Sequence, residues 1–422
     1  MSDEPNRRLV VLDPAWGGSV GHHHDLNLQL QLELSRAQWQ VEVWADQAAA
    51  ELALPWLRPH LHDCGYLDPR HWCDAAGSMH LARRLAEQLE LCIGQPTQPV
   101  AAWLMHTALP FQLLGLARLL NKQPAAKVLI SLMFAPGETL GLAAVGDDAA
   151  IANSRQALAA LAEACRSQGH QLWIGLPSRQ QLELWAPLIS AAGLPAAELH
   201  PAVVGAGGAP VPPPKGAPKL LLHWGDRKQA KGWHHSLLAV GQLLDQGVPN
   251  ELRGHGWLFH VNCHDPLPES ERQLLERAER QLIGFQLLRE AVPHKQMLMR
   301  LAGCSVALLP YCPESYSERS SGMLWSYASA RRAVGLPAAV GGIAGGWIER
   351  EAKELGLIWL SVEHSKNNNW PELLISVLNQ SSKGLQSPPG KNREYTDLIL
   401  GGSFGEYISQ VLRETPDPQK RS

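Results

Sequence analysis

Apolar and polar positions along the chain alternate between two periods. Residues 9–12 form a short apolar β-type run, and residues 25–38 follow with apolar positions recurring at helical spacing. The same pairing predicts strands at 41–44, 100–105, 128–132 and 172–174, with helices at 79–92, 113–121 and 149–167. A further helix is predicted from Ser178, an N-cap residue type, to a point before Gly193. Strands that alternate with helices of this length predict a parallel sheet.

Residues 205–218 read GAGGAPVPPPKGAP, a stretch that suits neither helix nor central strand, because proline lacks an amide hydrogen and glycine is costly to order. Beyond it the rhythm restarts. Strands are predicted at 220–223, 257–261, 285–288, 306–310, 333–336 and 357–362, and helices at 232–244, 269–281, 294–301 and 322–330. After a polar, glycine-bearing stretch at 381–391 comes a last helical pattern at 404–412, and Ser422 lies in a charged tail. The expected architecture is α/β, with two Rossmann-like doubly wound domains. Residues 1–204 form the first domain, 205–218 the linker, 219–400 the second domain, and 401–422 a terminal helix and tail. Such sheets bind ligands outside the carboxyl ends of their strands, and the expectation is that the two domains face each other across a cleft.

Composition narrows the function classes. The 422 residues are 45% hydrophobic and 18% charged with a formal net charge of -3, so no basic surface argues for nucleic acid. The polar start from Met1 to Arg8 runs straight into a strand, and no apolar stretch is long enough for a signal peptide or a membrane span, which predicts a cytoplasmic protein. The seven cysteines (64, 73, 92, 165, 263, 304 and 312) are odd in number and contain no C-x-x-C pair, which argues against disulfides and a structural zinc. Several of the fifteen tryptophans sit in or beside apolar runs, where core packing explains them more simply than ligand stacking.

Chemistry is expected in the loops at strand ends. The first, from Asp13 to His24, holds Gly17 and Gly18 and then His22, His23 and His24 before a helix expected near Asp25. Its glycines permit close backbone approach to a ligand, and helix-start amides favour anions, but the spacing is not that of a dinucleotide fingerprint. Adjacent histidines point in different directions, so a metal is not expected. Capping and contact with a sugar both remain open for them. His106 ends an apolar run at a strand end, where it either serves a ligand or is satisfied locally.

In the second half, Gly225, Arg227, Lys231 and Gly232 follow a strand and open a helix. Cations beside a helix N-terminus oppose its dipole unless an anion joins them, so this turn suits a diphosphate as well as it suits solvent. Residues 311–322 join another strand to a helix. Ser320, Ser321 and the Gly322 amide are placed to hold phosphate oxygens, and Glu314 or Glu318 to accept sugar hydroxyls, although Glu318 and Arg319 also suit a solvent ion pair.

Over nearly its whole length the chain resembles the retaining, nucleotide-sugar-dependent GT-B glycosyltransferases. Gly17, Gly18 and His22–His24 are similar to that family's opening glycine turn, His106 to a histidine ending a later strand, and Gly225, Arg227, Lys231 and Gly232 to its phosphate segment. The resemblance implies that residues 1–204 are the acceptor domain and 219–400 the nucleotide-sugar domain. It further implies that Arg227 and Lys231 grip the donor diphosphate and that Gly17, Gly18 and His22, His23 and His24 face the acceptor and the donor phosphates, the two glycines and Gly225 on the donor side and the histidines on the acceptor side. Glu314, Arg319, Ser320, Ser321 and Gly322 are the further donor-site candidates. Glu318 and Gly322 resemble the family's first glutamate and the glycine after it. The second glutamate, a ribose ligand, has no counterpart, and its place falls at or beside Ser326 and Tyr327.

The expected function is therefore transfer of a sugar from a nucleotide-diphosphate sugar to an unidentified acceptor, with retention and with neither metal nor cofactor. His106 and Glu318 are the catalytic candidates, and Tyr327 is the candidate at the ribose. Fixed positive charge on the departing diphosphate would supply the catalysis in place of a covalent nucleophile. The absent glutamate keeps open a second reading, a non-catalytic nucleotide-sugar-binding or scaffolding relative. An epimerase would need carboxylates placed for proton abstraction, and no such set stands out.

Overall fold

The strand and helix alternation builds two parallel sheets, one in each of two compact units, Met1–Val203 with Phe404–Ser422 and Val204–Ser403. The computed structural model describes residues 7–19, 21–65, 71–93, 99–137, 147–203, 205–206, 210–262, 266–365, 368–383 and 393–414. Residues 1–6, Cys263, positions 207–209 of the expected linker, 384–392 of the polar stretch and the tail from 415 lie outside the described residues.

The first unit runs β1 (Arg8–Asp13), α1 (His22–Arg36), β2 (Gln40–Asp46), β3 (Leu57–Leu61), α2 (Ala75–Ile93), β4 (Ala102–Met105) and α3 (Pro110–Leu120). It continues with β5 (Lys127–Ser131), α4 (Asp147–Gln168), β6 (Gln171–Leu176), α5 (Arg179–Ala191) and β7 (Glu198–Leu199). The sheet order is β3-β2-β1-β4-β5-β6-β7, and every pairing is parallel. Strands β1, β4 and β5 are buried along their whole length. Helices cover both faces of such a sheet, which is why the central strands read as continuous apolar runs.

The second unit runs β8 (Lys219–Asp226), α6 (Trp233–Asp245), β9 (Gly256–Asn262), α7 (Glu269–Gln281), β10 (Phe285–Leu288), α8 (His294–Ala302), β11 (Cys304–Leu309) and α9 (Gly322–Ala333). It closes with β12 (Ala339–Ile343), α10 (Trp347–Glu354), β13 (Ile358–Val362), α11 (Trp370–Ser382) and α12 (Arg393–Gly401). Its order is β10-β9-β8-β11-β12-β13. Both sheets are doubly wound and reverse their strand order at one place. That switch point lies between β1 and β4 in the first unit and between β8 and β11 in the second. No described helix is long and apolar enough to cross a membrane.

The structure corrects three sequence expectations. The strand expected at 333–336 does not exist: α9 continues to Ala333, Gly335 turns the chain at φ 70°, and the strand follows Pro337 as β12. Helix α1 begins at His22 instead of near Asp25, with Gly21 as its N-cap at φ 99°. Helices α10, α11 and α12 were not foreseen. Of these, α11 starts from Asn369, whose side chain accepts from the Glu372 amide at 3.3 Å, with Pro371 in its first turn.

The final helix, α13 (Phe404–Glu414), belongs to the first unit. Leu26, Leu30 and Leu34 share one face of α1 at i, i+4, i+8 and pack in the same buried cluster as Phe404, Ile408 and Leu412 of α13. Gly405 faces the Glu33 side chain, whose Cβ would lie 3.4 Å from a Cβ built there, so the two helices run close at this point. The buried Lys127 ammonium donates to the Leu412 carbonyl, a cation at a helix C-terminus. Because Ile408 is fully buried between these elements, Ile408→Ala is expected to cost about 2–5 kcal/mol. Urea unfolding of the variant followed by a first-unit probe checks this, and a loss below 1 kcal/mol, taken as about one methylene, would show that α13 contributes little to that core.

Candidate functional site

Each switch point is flanked by two loops, and the chemistry-bearing residues fall on them. In the second unit, β8 ends at Asp226 and hands the chain to Arg227, Lys228 and a short 3-10 turn, Gln229–Lys231, before α6. Gly232 stands at φ 72°, and a Cβ there would lie 1.9 Å from the Pro310 carbonyl oxygen. Only glycine lets this turn press against the end of β11. The Cys312 amide donates to the Ala230 carbonyl at 3.0 Å and ties the two loops together.

The cations of the turn are held by acids from the same unit. Lys228 and Lys231 lie 3.0 and 3.6 Å from Asp226, and Arg227 lies 3.8 Å from Glu271 while donating to the Pro266 carbonyl at 3.2 Å. Burial pulls the Lys231 ammonium below its ordinary value, and Lys228 and Arg319 add to this while Asp226 opposes it. A positive group desolvated among other cations gains most from an added anion. Gly225, at φ 120°, keeps open the space beside Lys231, whose Nζ would be 3.1 Å from a Cβ there.

The loop from β11 to α9 brings up the other half of this anion-favouring corner. Ser321 caps α9, its hydroxyl accepting from the Leu324 amide at 3.3 Å and donating to Tyr311 at 3.2 Å. Ser320 donates to Glu351 at 3.0 Å and accepts from the Trp347 indole at 3.2 Å. The Arg319 guanidinium lies over the Tyr316 ring, 4.2 Å from its centroid. Gly322 is the first residue of the helix, and Glu314 and Glu318 are exposed. Tyr327 stands apart from these. It is fully buried, its hydroxyl lies 3.2 Å from each of the Cys304, Ser305 and Ala339 carbonyls, and burial pushes its pKa up. The side chain fills the core, so its placement offers nothing to a donor.

Glu351 of α10 was not foreseen. It is fully buried and accepts from both Ser320 and the Trp325 indole at 3.0 Å. It was invisible because α10 was not expected, and its link to Ser320 spans 31 positions.

In the first unit, Asp13 at the end of β1 gathers a buried polar cluster. His23 approaches it at 2.9 Å, Asn27 donates to it at 2.6 Å, and His106 Nε2 lies 3.5 Å away. His106 Nε2 also lies 3.2 Å from Asn27 Oδ1, an acceptor only, so Nε2 carries the proton and Nδ1 is left to accept from Thr107 Oγ1 at 3.3 Å. Thr107 holds φ 57°, unusual for a β-branched residue and characteristic of a conformation fixed by its surroundings. Burial would raise Asp13, but the facing His23 and His106 and the hydrogen bonds from His23 and Asn27 outweigh it and hold the carboxyl well below the usual carboxylate range. Burial pushes His106 down to about 4 in spite of Asp13.

The three consecutive histidines diverge as the helical turn requires. His23 points inward to Asp13, His22 is exposed with its ring 4.1 Å from that of His23, and His24 is half-buried beside Trp16. The Trp16 indole donates to the Gly18 carbonyl at 2.8 Å and fixes the glycine turn, in which Gly17 is exposed and Gly18 half-buried. Neither glycine takes a positive φ. That conformation belongs to Gly21.

No protein-family model matches the chain, and no curated protein matches it by sequence. Solved structures do match. A UDP-forming α,α-trehalose-phosphate synthase from Burkholderia xenovorans in complex with glucose-6-phosphate is 12% identical at a TM-score of 0.58, covering 96% of this chain and 100% of that one. The N-terminal domain of Candida albicans trehalose-6-phosphate phosphatase is 11% identical at 0.59, covering 100% and 98%. An E. coli trehalose-6-phosphate structure bound with UDP-2-fluoro glucose is 12% identical at 0.55, covering 97% and 99%. The chain has the GT-B fold. At these identities the likeness establishes that architecture and leaves the chemistry to be argued from the site.

The buried cluster has an acid signature. His106 is neutral when folded and titrates near 6.5 when unfolded, so as pH falls the unfolded chain takes up the proton first. Its contribution is complete above about pH 6.5 and is lost progressively towards pH 4. Asp13, whose folded value is depressed, adds its own loss below its ordinary value of 3.8. The expected outcome is that His106→Gln flattens the fall in stability between pH 6.5 and 4, measured by urea midpoints across that range; an unchanged slope would mean that His106 is not held neutral.

Proposed function

We propose that this chain transfers a hexose from a nucleotide-diphosphate sugar to an acceptor, and that it holds the donor diphosphate at the switch point of its second unit. One observation carries this reading. The partly buried Lys231, the Arg319 guanidinium and the N-terminus of α9 belong to the two loops flanking that switch point, and the Cys312 to Ala230 hydrogen bond locks the loops together. Doubly wound sheets bind ligands at that place, and helix-start amides with fixed cations are what a diphosphate selects. Because fold neighbours include UDP-forming enzymes, UDP-glucose is the first donor to test.

In the proposed reaction the anomeric carbon–oxygen bond to the diphosphate breaks as the bond to the acceptor oxygen forms on the same face, and the acceptor proton passes to the departing phosphate. Lys231, Arg227 and Arg319 stabilise the negative charge that develops there, which asks neither for a metal in the chemistry nor for a protein nucleophile. The exposed Glu318 is available to sugar hydroxyls. His106 is assigned a positioning role, holding the first loop through Asn27 and Asp13, and the exposed His22 and half-buried His24 are assigned to the unidentified acceptor.

A second reading, binding without turnover, is favoured by α9 itself. The place of the family's ribose glutamate is taken by Ser326 and the core residue Tyr327, and the adjacent Trp325 is pinned by Glu351. Two measurements separate the readings. Turnover of nucleotide sugars with a panel of sugar and sugar-phosphate acceptors is expected, and Lys231→Ala is expected to lower kcat/KM by about 100-fold or more. Calorimetry showing UDP binding that Lys231→Ala abolishes, with no transfer or hydrolysis in the same preparation, would establish the second reading instead. An unaffected Lys231→Ala variant would remove that residue from the donor site.

A further inference from the structure

A second group of chemically distinctive side chains lies in the second unit, and of its members only Glu314 was a donor-site candidate, a role for which the proposed transfer calls on Glu318 instead. The thiol of Cys312, the carboxylate of Glu314 and the imidazole of His364 present ligand atoms that all lie within 4.8 Å of one another. Glu314 joins the other two, with one carboxylate oxygen 2.8 Å from Cys312 Sγ and the other 3.4 Å from His364 Nδ1. A tetrahedral ion with bonds of about 2.0–2.3 Å holds its ligand atoms roughly 3.5 Å apart, so this spacing needs only small side-chain rotations to close on an ion.

Two further observations point the same way. The Cys312 backbone is fixed on both sides, its amide bonded to the Ala230 carbonyl and its carbonyl accepting from the Tyr316 amide, each at 3.0 Å. Its thiol is therefore presented from a defined position. Beside the triad stands His235, the third residue of α6, only 7% exposed, with its ring 5.6 Å from that of His364 and its Nδ1 without a hydrogen-bond partner. Buried ring nitrogens are ordinarily satisfied, and this one is left open on a ring next to that of His364, a member of the triad.

We infer that Cys312, Glu314, His364 and His235 form a site for a borderline-soft divalent cation of the zinc class. A thiolate with two imidazoles and one carboxylate excludes the hard cations magnesium and calcium, which take all-oxygen shells. Binding releases the Cys312 proton to solvent and forms four bonds to the ion. The ligands come from the β11–α9 loop, the end of β13 and the first turn of α6, so the ion is a clasp on the loop that carries Ser320 and Ser321. The site does not depend on glycosyl transfer, and its test uses no activity.

The whole purified chain, stripped with chelator under reducing conditions, is titrated with Co²⁺ and, in competition with a chromophoric chelator, with Zn²⁺. The expected result is one ion per chain, a near-ultraviolet thiolate-to-cobalt charge-transfer band, and a Zn²⁺-dependent rise in the thermal midpoint. Cys312→Ser abolishes the band, and Cys312→Ser, His364→Ala and His235→Asn each weaken Zn²⁺ by about tenfold or more. Cys92→Ser, a cysteine of similar exposure in the first unit, changes none of these. The exposed position of His364 leaves its variant's core intact, so that arm stands even where a buried substitution unfolds the chain. No charge-transfer band, a band that persists in Cys312→Ser, or unchanged Zn²⁺ affinity in any of the three variants overturns the assignment.

Discussion

The contact on which the second unit's site depends is one that a side chain would forbid. Gly232 brings its Cα hydrogens against the Pro310 carbonyl, where a Cβ would fall 1.9 Å from the oxygen. From that single close approach follow the hydrogen bond between Ala230 and Cys312, the placing of Lys231 near Arg319, and the joining of two loops that the sequence separates by about eighty positions. A switch point in a doubly wound sheet opens a crevice between diverging crossovers. Here the crevice is narrowed by backbone and furnished with charge.

The first unit solves a different electrostatic problem. A carboxylate taken out of water needs hydrogen-bond donors, and Asp13 finds them in His23 and Asn27, one turn apart on α1, and in the Ala15 amide, with His106 3.5 Å away at the end of the neighbouring strand. The result is a rigid corner under the glycine turn. Its rigidity reaches Thr107, which holds a backbone conformation its residue type disfavours.

What the sequence revealed followed burial. Strands β1, β4, β5, β9 and β11 are almost wholly buried and read directly as apolar runs, and the edge strands β10 and β13 keep enough apolar residues to be read, whereas β3, with Arg58, Pro59 and His60 at its centre, and the two-residue β7 left no period to find. The loops with glycine and basic residues were legible because their chemistry is local. Partners brought from afar were not: Glu351 meets Ser320 across 31 positions and His364 meets Glu314 across 50. Asp13 and Asn27 left a usable signal, since His23 and Asn27 stand at i, i+4 on one helical face and Asp13 is the first polar residue after an apolar strand. The misplaced strand at 333–336 shows the opposite hazard, an apolar stretch that belongs to a helix end and its glycine turn.

The placing of α13 has a consequence for the order in which this protein is made. Its contacts close the core of a unit whose other elements were all synthesised about two hundred or more residues earlier, with the whole second unit encoded between. Until Phe404, Ile408 and Leu412 emerge, the cluster that holds the α1 leucines lacks the part contributed by α13, while the second unit already holds every described strand and helix of its own sheet. Domains fold as units during synthesis. In this chain the later-encoded unit is the first whose sequence is complete, and the earlier one waits with an apolar seam exposed for the last helix to arrive.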